Sequence, residues 1–143
     1  MIRIVIDTNI LVSASLKKGY SFKIVEEIAT DIKLIQVCLS EQVLTEYSNL
    51  VFYERISGKY PLFIKTISAN IKRLEKAGVM FFPRRHFNIL ADITDNKFLD
   101  LAYEAKADYL ITGNRNDFSI TQFEQTKILN PKKFCELFDQ NSL

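Results

Sequence analysis

A chain of 143 residues with 48% hydrophobic and 25% charged side chains has the size and makeup of one ordinary globular domain spanning residues 1–143, and is too short for two well-buried cores. Nineteen Lys and Arg against seventeen Asp and Glu give a formal charge of +2, which excludes a histone-like polycation and an acidic disordered tail. The balance is a cancellation: residues 1–86 carry thirteen basic and eight acidic side chains, residues 87–143 six and nine.

Ile2 to Ile6 is short, β-branched and apolar on both parities apart from Arg3, the pattern of a strand buried on both faces of a parallel sheet. It ends at Asp7. Asn9 to Leu16 has helical composition, and Ser21 is expected to cap a second helix with Ile24, Val25, Ile28 and Ala29 on one face. Lys33 to Leu39 returns to strand. Ser40 reads as the cap of a third helix, with Glu41 in its first turn and Val43, Leu44, Tyr47, Leu50 and Val51 as its apolar stripe. Glu46 falls at the rim of that stripe. After Ser57-Gly58, Pro61 opens a helix in which Ile64, Ile67, Ile71 and Leu74 recur at helical spacing until Gly78.

Val79 to Phe82 reads as a short strand closed by Pro83, and Thr94 as the cap of a helix with Phe98, Leu101, Ala102 and Ala105 inward. Tyr109 to Thr112 and Lys127 to Leu129 read as strands. Asn130 and Pro131 then start a last helix with Phe134, Leu137 and Phe138 buried. Strands alternating with helices imply right-handed crossovers and a parallel sheet, whose ligands bind outside the carboxyl ends of its strands. Cys38 and Cys135 are too few for a disulfide framework and read as free thiols of a cytoplasmic protein. No stretch approaches the roughly 18 apolar residues of a membrane span.

Asp7, Glu46, Asp95 and Asp117 are all placed to reach that carboxyl edge. Taken singly, each has a plainer reading: Asp7 as a helix cap, Asp95 as a partner of a helix dipole, Glu46 as a solvated helix residue. Together, close carboxylates repel unless a cation compensates, and an all-carboxylate set suits Mg²⁺ or Mn²⁺ rather than zinc. Such ions lower the pKa of bound water and hold a phosphodiester for in-line displacement.

Asp7-Thr8-Asn9 after an apolar strand, Glu46 in the third helix, Asp95-Asn96-Lys97-Phe98-Leu99-Asp100-Leu101-Ala102, Ala107-Asp108-Tyr109-Leu110-Ile111-Thr112-Gly113-Asn114 and Asp117-Phe118 together resemble the PIN-domain family. Within it, the chain is most similar to the VapC-like branch of toxin–antitoxin toxins. The resemblance implies a three-layer α/β/α sandwich with a central parallel sheet and a Mg²⁺- or Mn²⁺-dependent endoribonuclease that leaves 5′-phosphate ends. It further implies Asp7, Glu46, Asp95 and Asp117 as catalytic metal ligands, with Asn9, Thr112 and Asn114 as supporting polar residues. Thr112 would hold a carboxylate or a water in place. Asn114 stands where many relatives carry Asp, so the fourth acid is either missing or Asp117.

Around Glu75, the stretch from 55 to 86 holds Arg55, Lys59, Lys65, Lys72, Arg73, Lys76, Arg84 and Arg85. Beside a phosphodiesterase site, Lys65, Lys72, Arg73, Lys76, Arg84 and Arg85 are candidates for RNA binding through phosphates. Phe81, Phe82 and Tyr109 are expected in the core, His86 as a loop residue, and Asp100 at the surface, facing solvent or Lys97. The leading expectation is a ribonuclease toxin with an RNA substrate, a small antitoxin partner and a homodimeric state. The alternatives are a housekeeping RNA-processing nuclease and a catalytically silent RNA-binding module of the same fold. Asp7-Thr8-Asn9 is not the Asp-x-Asp pair of a phosphatase, and there is no Gly-rich phosphate loop.

Overall fold

The computed structural model describes residues 1–113 and 120–143, without the side chains of 54–57. The candidate residues Asn114 and Asp117, and the side chain of Arg55, therefore lie outside the described residues. Among those described, six strands form one sheet in the order β3-β2-β1-β4-β6-β5. They are β1 (Ile2–Ile6), β2 (Ile35–Leu39), β3 (Val79–Met80), β4 (Tyr109–Ile111), β5 (Gln122–Phe123) and β6 (Thr126–Leu129). Every neighbouring pair is parallel except β5 with β6. That two-residue antiparallel edge was not expected, because so short a strand carries no periodic signal.

Ile4, Val5 and Ile6 are all fully buried, as expected for a central strand covered on both faces. The helices are α1 (Thr8–Leu16), α2 (Tyr20–Glu26), α3 (Glu41–Ser57), α4 (Pro61–Ala77), α5 (Asn96–Ala105) and α6 (Pro131–Asp139). The chain steps outward from β1 through β2 to β3, then returns across the sheet to β4. Right-handed crossovers therefore put α1, α2 and α4 on one face and α5 on the other. The contacts agree: α1, α2 and α4 pack on one another, α6 packs on α2, and α5 lies against β1, β2 and β4. Helix α3 touches α1, α4 and α5, so it bridges the two layers. The direction of winding reverses between β1 and β4, which opens the crevice of a doubly wound sheet at their carboxyl ends.

Most helix ends follow their sequence signals. The Ser40 hydroxyl accepts from the Val43 N–H at 3.2 Å, and Asn130 Oδ1 accepts from the Lys133 N–H at 2.8 Å. Gly78 ends α4 where a Cβ would sit 2.5 Å from Leu39 Cδ1 and 2.7 Å from the Leu74 carbonyl oxygen, so glycine is required by close approach. Ile67, Ile71 and Leu74 are buried as expected. So is Asn70, whose Nδ2 donates to Ser15 Oγ at 3.1 Å and ties α4 to α1.

Several expectations need correction. Ser21 does not cap α2: the helix begins two residues earlier with Gly19 at the cap position, and Ser21 is buried inside it. Ile28 and Ala29 belong to a separate 3-10 turn, Ile28–Thr30. Thr94 does not cap α5, because a 3-10 turn, Ile93–Asp95, precedes the helix and Asp92 caps that turn. Phe82 is 70% exposed, since the strand stops at Met80, whereas Tyr109 is core. Leu137 and Phe138 are only half-buried.

Asp100 is the largest correction, being buried rather than at the surface. An irregular strap between β3 and α5 runs along that helix, and three acceptors on one helical face pin its backbone. Asn96 Oδ1 accepts from the N–H groups of Ile89 and Leu90 at 3.1 and 3.0 Å. Asp100 Oδ1 accepts from Phe87 at 2.7 Å, and Glu104 Oε1 from Arg84 at 3.1 Å. His86 is a loop residue as expected, and its Nδ1 lies 3.2 Å from Asp100 Oδ2. Burial pushes the thiols of Cys38 and Cys135 up to about 12 and about 11, so both are protonated and inert at neutral pH.

Candidate active site

The register of β1 and β4 builds the centre of the site. Ile6 lies opposite Ile111, and the Asp7 N–H continues the ladder by donating to the Ile111 carbonyl at 3.0 Å. Asp7 and Thr112 therefore leave adjacent strands side by side. The Thr112 hydroxyl donates to Asp7 Oδ2 at 2.6 Å, with both residues 4% exposed. Asp7 does occupy the cap position of α1, but its side chain makes no capping hydrogen bond, so capping does not account for the carboxylate. Next to it, Asn9 Oδ1 accepts from the Gly113 N–H at 3.3 Å.

Helix α3 delivers the second acid. Tyr47 is fully buried, and its hydroxyl donates to the Ile6 carbonyl, tying α3 to the end of β1. Burial, with the charges of Asp7 and Glu46, pushes that phenol well above its ordinary range, so it remains a neutral donor. The preceding residue, Glu46, is thereby set at the same edge and half-buried, at the rim of the stripe as expected. Its Oε2 accepts from the Thr8 hydroxyl, and its Oε1 from Lys97 Nζ at 2.6 Å.

Helix α5 delivers the third. Asp95 ends the 3-10 turn, is 8% exposed and sits at the α5 N-terminus, where the helix dipole favours a carboxylate. Asp92 is exposed and turned onto Thr94, whose hydroxyl and then N–H hold its carboxyl below the usual range. An open depression of about 560 Å³ flanks this edge, lined by Glu41, Gln42, Thr45, Glu46, Asn49, Thr94 and Lys97.

Three of the four expected acids thus reach one edge of the sheet. Among the described residues no group of three or more Asp, Glu, His or Cys side chains is gathered closely enough to hold one ion; Glu46 is turned onto Lys97 and Thr8. The donors are nevertheless of the right chemistry. Asp7, Asp95 and Glu46 with the Thr112 hydroxyl offer hard oxygen atoms, which fit Mg²⁺ or Mn²⁺ and not a thiophilic metal. Sequence reasoning missed Thr8, Tyr47 and Lys97 as parts of the site. Thr8 and Lys97 lay within the quoted motifs, but their bonds to Glu46 join different elements and leave no local signal.

The basic candidates lie elsewhere. Lys65, Lys72, Arg73 and Lys76 are exposed along α4, and Arg84 and Arg85 along the strap. Arg73 donates to Glu26 at 2.9 Å and to Asn70 Oδ1 at 2.7 Å. The Arg85 guanidinium lies 4.9 and 5.0 Å from the ring centroids of Phe87 and Tyr103. Among the described residues no helix is long and apolar enough to cross a membrane.

Comparison with known proteins agrees with this architecture. The chain is 29% identical to an uncharacterized protein of Methanocaldococcus jannaschii, over 97% of its own length and 93% of that protein. The family model described as PIN domain matches residues 3–116. With most of its length matched, the chain belongs to the PIN-domain family.

Proposed function

We propose that this chain is a metal-dependent endoribonuclease that hydrolyses RNA phosphodiester bonds. The observation that carries the reading is the Asp7–Thr112 pair at the switch point of the sheet, with Glu46 and Asp95 brought to the same edge. The short hydrogen bond from Thr112 fixes the orientation of the buried Asp7 carboxyl group. Asp7, Asp95 and Glu46, joined by Asp117, would hold the ion. A bound Mg²⁺ or Mn²⁺ would supply an activated water and stabilise charge on the reacting phosphate. The chain's own residues orient the acids: Thr112 holds Asp7, Thr8 holds Glu46, and Tyr47 anchors α3 beneath them. His86, engaged with Asp100 on the strap, is not placed as a general base.

The purified protein should cut RNA in Mn²⁺ or Mg²⁺ and leave 5′-phosphate ends. Asp7→Asn should lower the cleavage rate by about a hundredfold or more, the scale of losing a preorganised electrostatic group. Wild type and variant equally inert on diverse RNAs would sink the proposal. The finer reading is a toxin restrained by a small antitoxin that covers the acidic edge, working as a homodimer on cytoplasmic RNA. What supports it is the resemblance of the motifs to the VapC-like branch. Growth arrest on induction, relieved by a co-expressed partner, is the expected result; unaffected growth would favour a housekeeping role.

A further inference from the structure

Among the described residues, Lys97 is the cation that meets an acid of this edge. It sits in the first turn of α5, two residues after Asp95, with its Nζ on Glu46 Oε1 at 2.6 Å, and the two side chains are 22% and 24% exposed. The other Glu46 oxygen already takes the Thr8 hydroxyl. A divalent ion that takes Glu46 through the same oxygen competes with the ammonium for it. Lysine suits such an exchange, being a compact charge on a flexible four-carbon stem. That stem lies on the wall of the open depression, where Gln42, Thr45, Asn49 and Thr94 are polar and Glu41 is the remaining charged residue.

We propose that Lys97 alternates between two anionic partners: Glu46 before a divalent ion binds, and a phosphate of the RNA once the ion has taken Glu46. This rests on the ribonuclease reading and assigns a positioning residue for it. Ion and RNA then help each other, because each removes a competitor of the other, and such coupling is reciprocal. Loss of the lysine charge should move the two affinities in opposite directions, which loss of a merely structural contact would not do.

The test is calorimetric titration of Mn²⁺ into wild type, Lys97→Met and Lys97→Gln, with circular dichroism to show that each is folded. It is paired with binding of a short phosphorothioate-linked RNA, which resists cleavage, across a salt series. The expected result is Mn²⁺ affinity raised about fivefold or more in both variants. RNA affinity should fall, with the slope of log K against log salt shallower by about 0.7, the share of one phosphate contact on a single strand. Lys97→Arg should keep the wild-type salt slope. Mn²⁺ affinity unchanged or lowered in the variants, or an unchanged salt slope, would overturn the role of Lys97 while leaving the ribonuclease reading intact. A wild-type protein that binds no Mn²⁺ would overturn both.

Discussion

The acidic edge and the basic stretch divide the charge of this molecule, and they are built in opposite ways. Asp7 and Asp95 are almost fully buried, and Asp7 and Glu46 are each held by a hydroxyl from another element. The cations on α4 and the strap are exposed, and two of them are occupied locally, Arg73 by Glu26 and Asn70, Arg85 by two aromatic rings. Buried charges act through position, and their energies change steeply when a partner is lost. Exposed charges act through a screened field, each contributing little. The contrast fits a molecule in which a few acids carry chemistry and many cations carry affinity.

The two regions should therefore fail differently. The largest effect expected on folding comes from the strap that presents Arg84 and Arg85. Asp100→Ala leaves the Phe87 N–H without its acceptor and should cost about 2–3 kcal/mol in a denaturant melt. Cleavage by the fraction that remains folded should be nearly normal, because Asp100 lies behind the strap and not at the edge. A loss of activity exceeding the loss of folded protein would break the separation between the regions.

A smaller effect is expected from Thr112→Val, which keeps the shape of the side chain and removes the donor on Asp7 Oδ2. It should cost about 1.5 kcal/mol of stability, the lower end for a hydrogen bond to a charged group, and lower the cleavage rate about tenfold, one unit of log rate per 1.4 kcal/mol of barrier. An unchanged rate would mean that the orientation of Asp7 does not matter.

The smallest effect is expected on α4. Lys72→Gln should leave the melt within about 0.5 kcal/mol of wild type, as for an ordinary surface change. RNA binding should weaken only slightly, with the salt slope shallower by about 0.7. A slope that does not change would remove Lys72 from the RNA surface.

How much of this was legible in the sequence follows from the range of each signal. The central strand and Asp7 at its end were readable, because a strand buried on both faces is a short continuous apolar run that ends abruptly. Ser40 and Asn130 were readable as caps, because capping is local. Thr94 misled, since a Ser or Thr before an apolar run looks the same whether an α-helix or a 3-10 turn follows. Asp100 misled for another reason: helical geometry gives its angle from Asp95, but not that a strap 13 residues away in sequence would cover it. The Asp7–Thr112 bond spans 105 residues and the Glu46–Lys97 bond 51. Motif resemblance singled out Asp7, Glu46 and Thr112, but only the fold shows which touches which.

The central claim is that Asp7, Glu46 and Asp95, brought to the carboxyl edge of the sheet, form a divalent-cation site. It is tested most directly by thermal melting of wild type and Asp7→Asn across a Mn²⁺ titration. Preferential binding to the folded state should stabilise wild type by about 2.7 kcal/mol at a hundred times the dissociation constant, raising its Tm saturably, while Asp7→Asn melts at the same temperature with or without the ion. A wild-type Tm that does not respond to Mn²⁺, or that rises equally in the variant, would contradict the account.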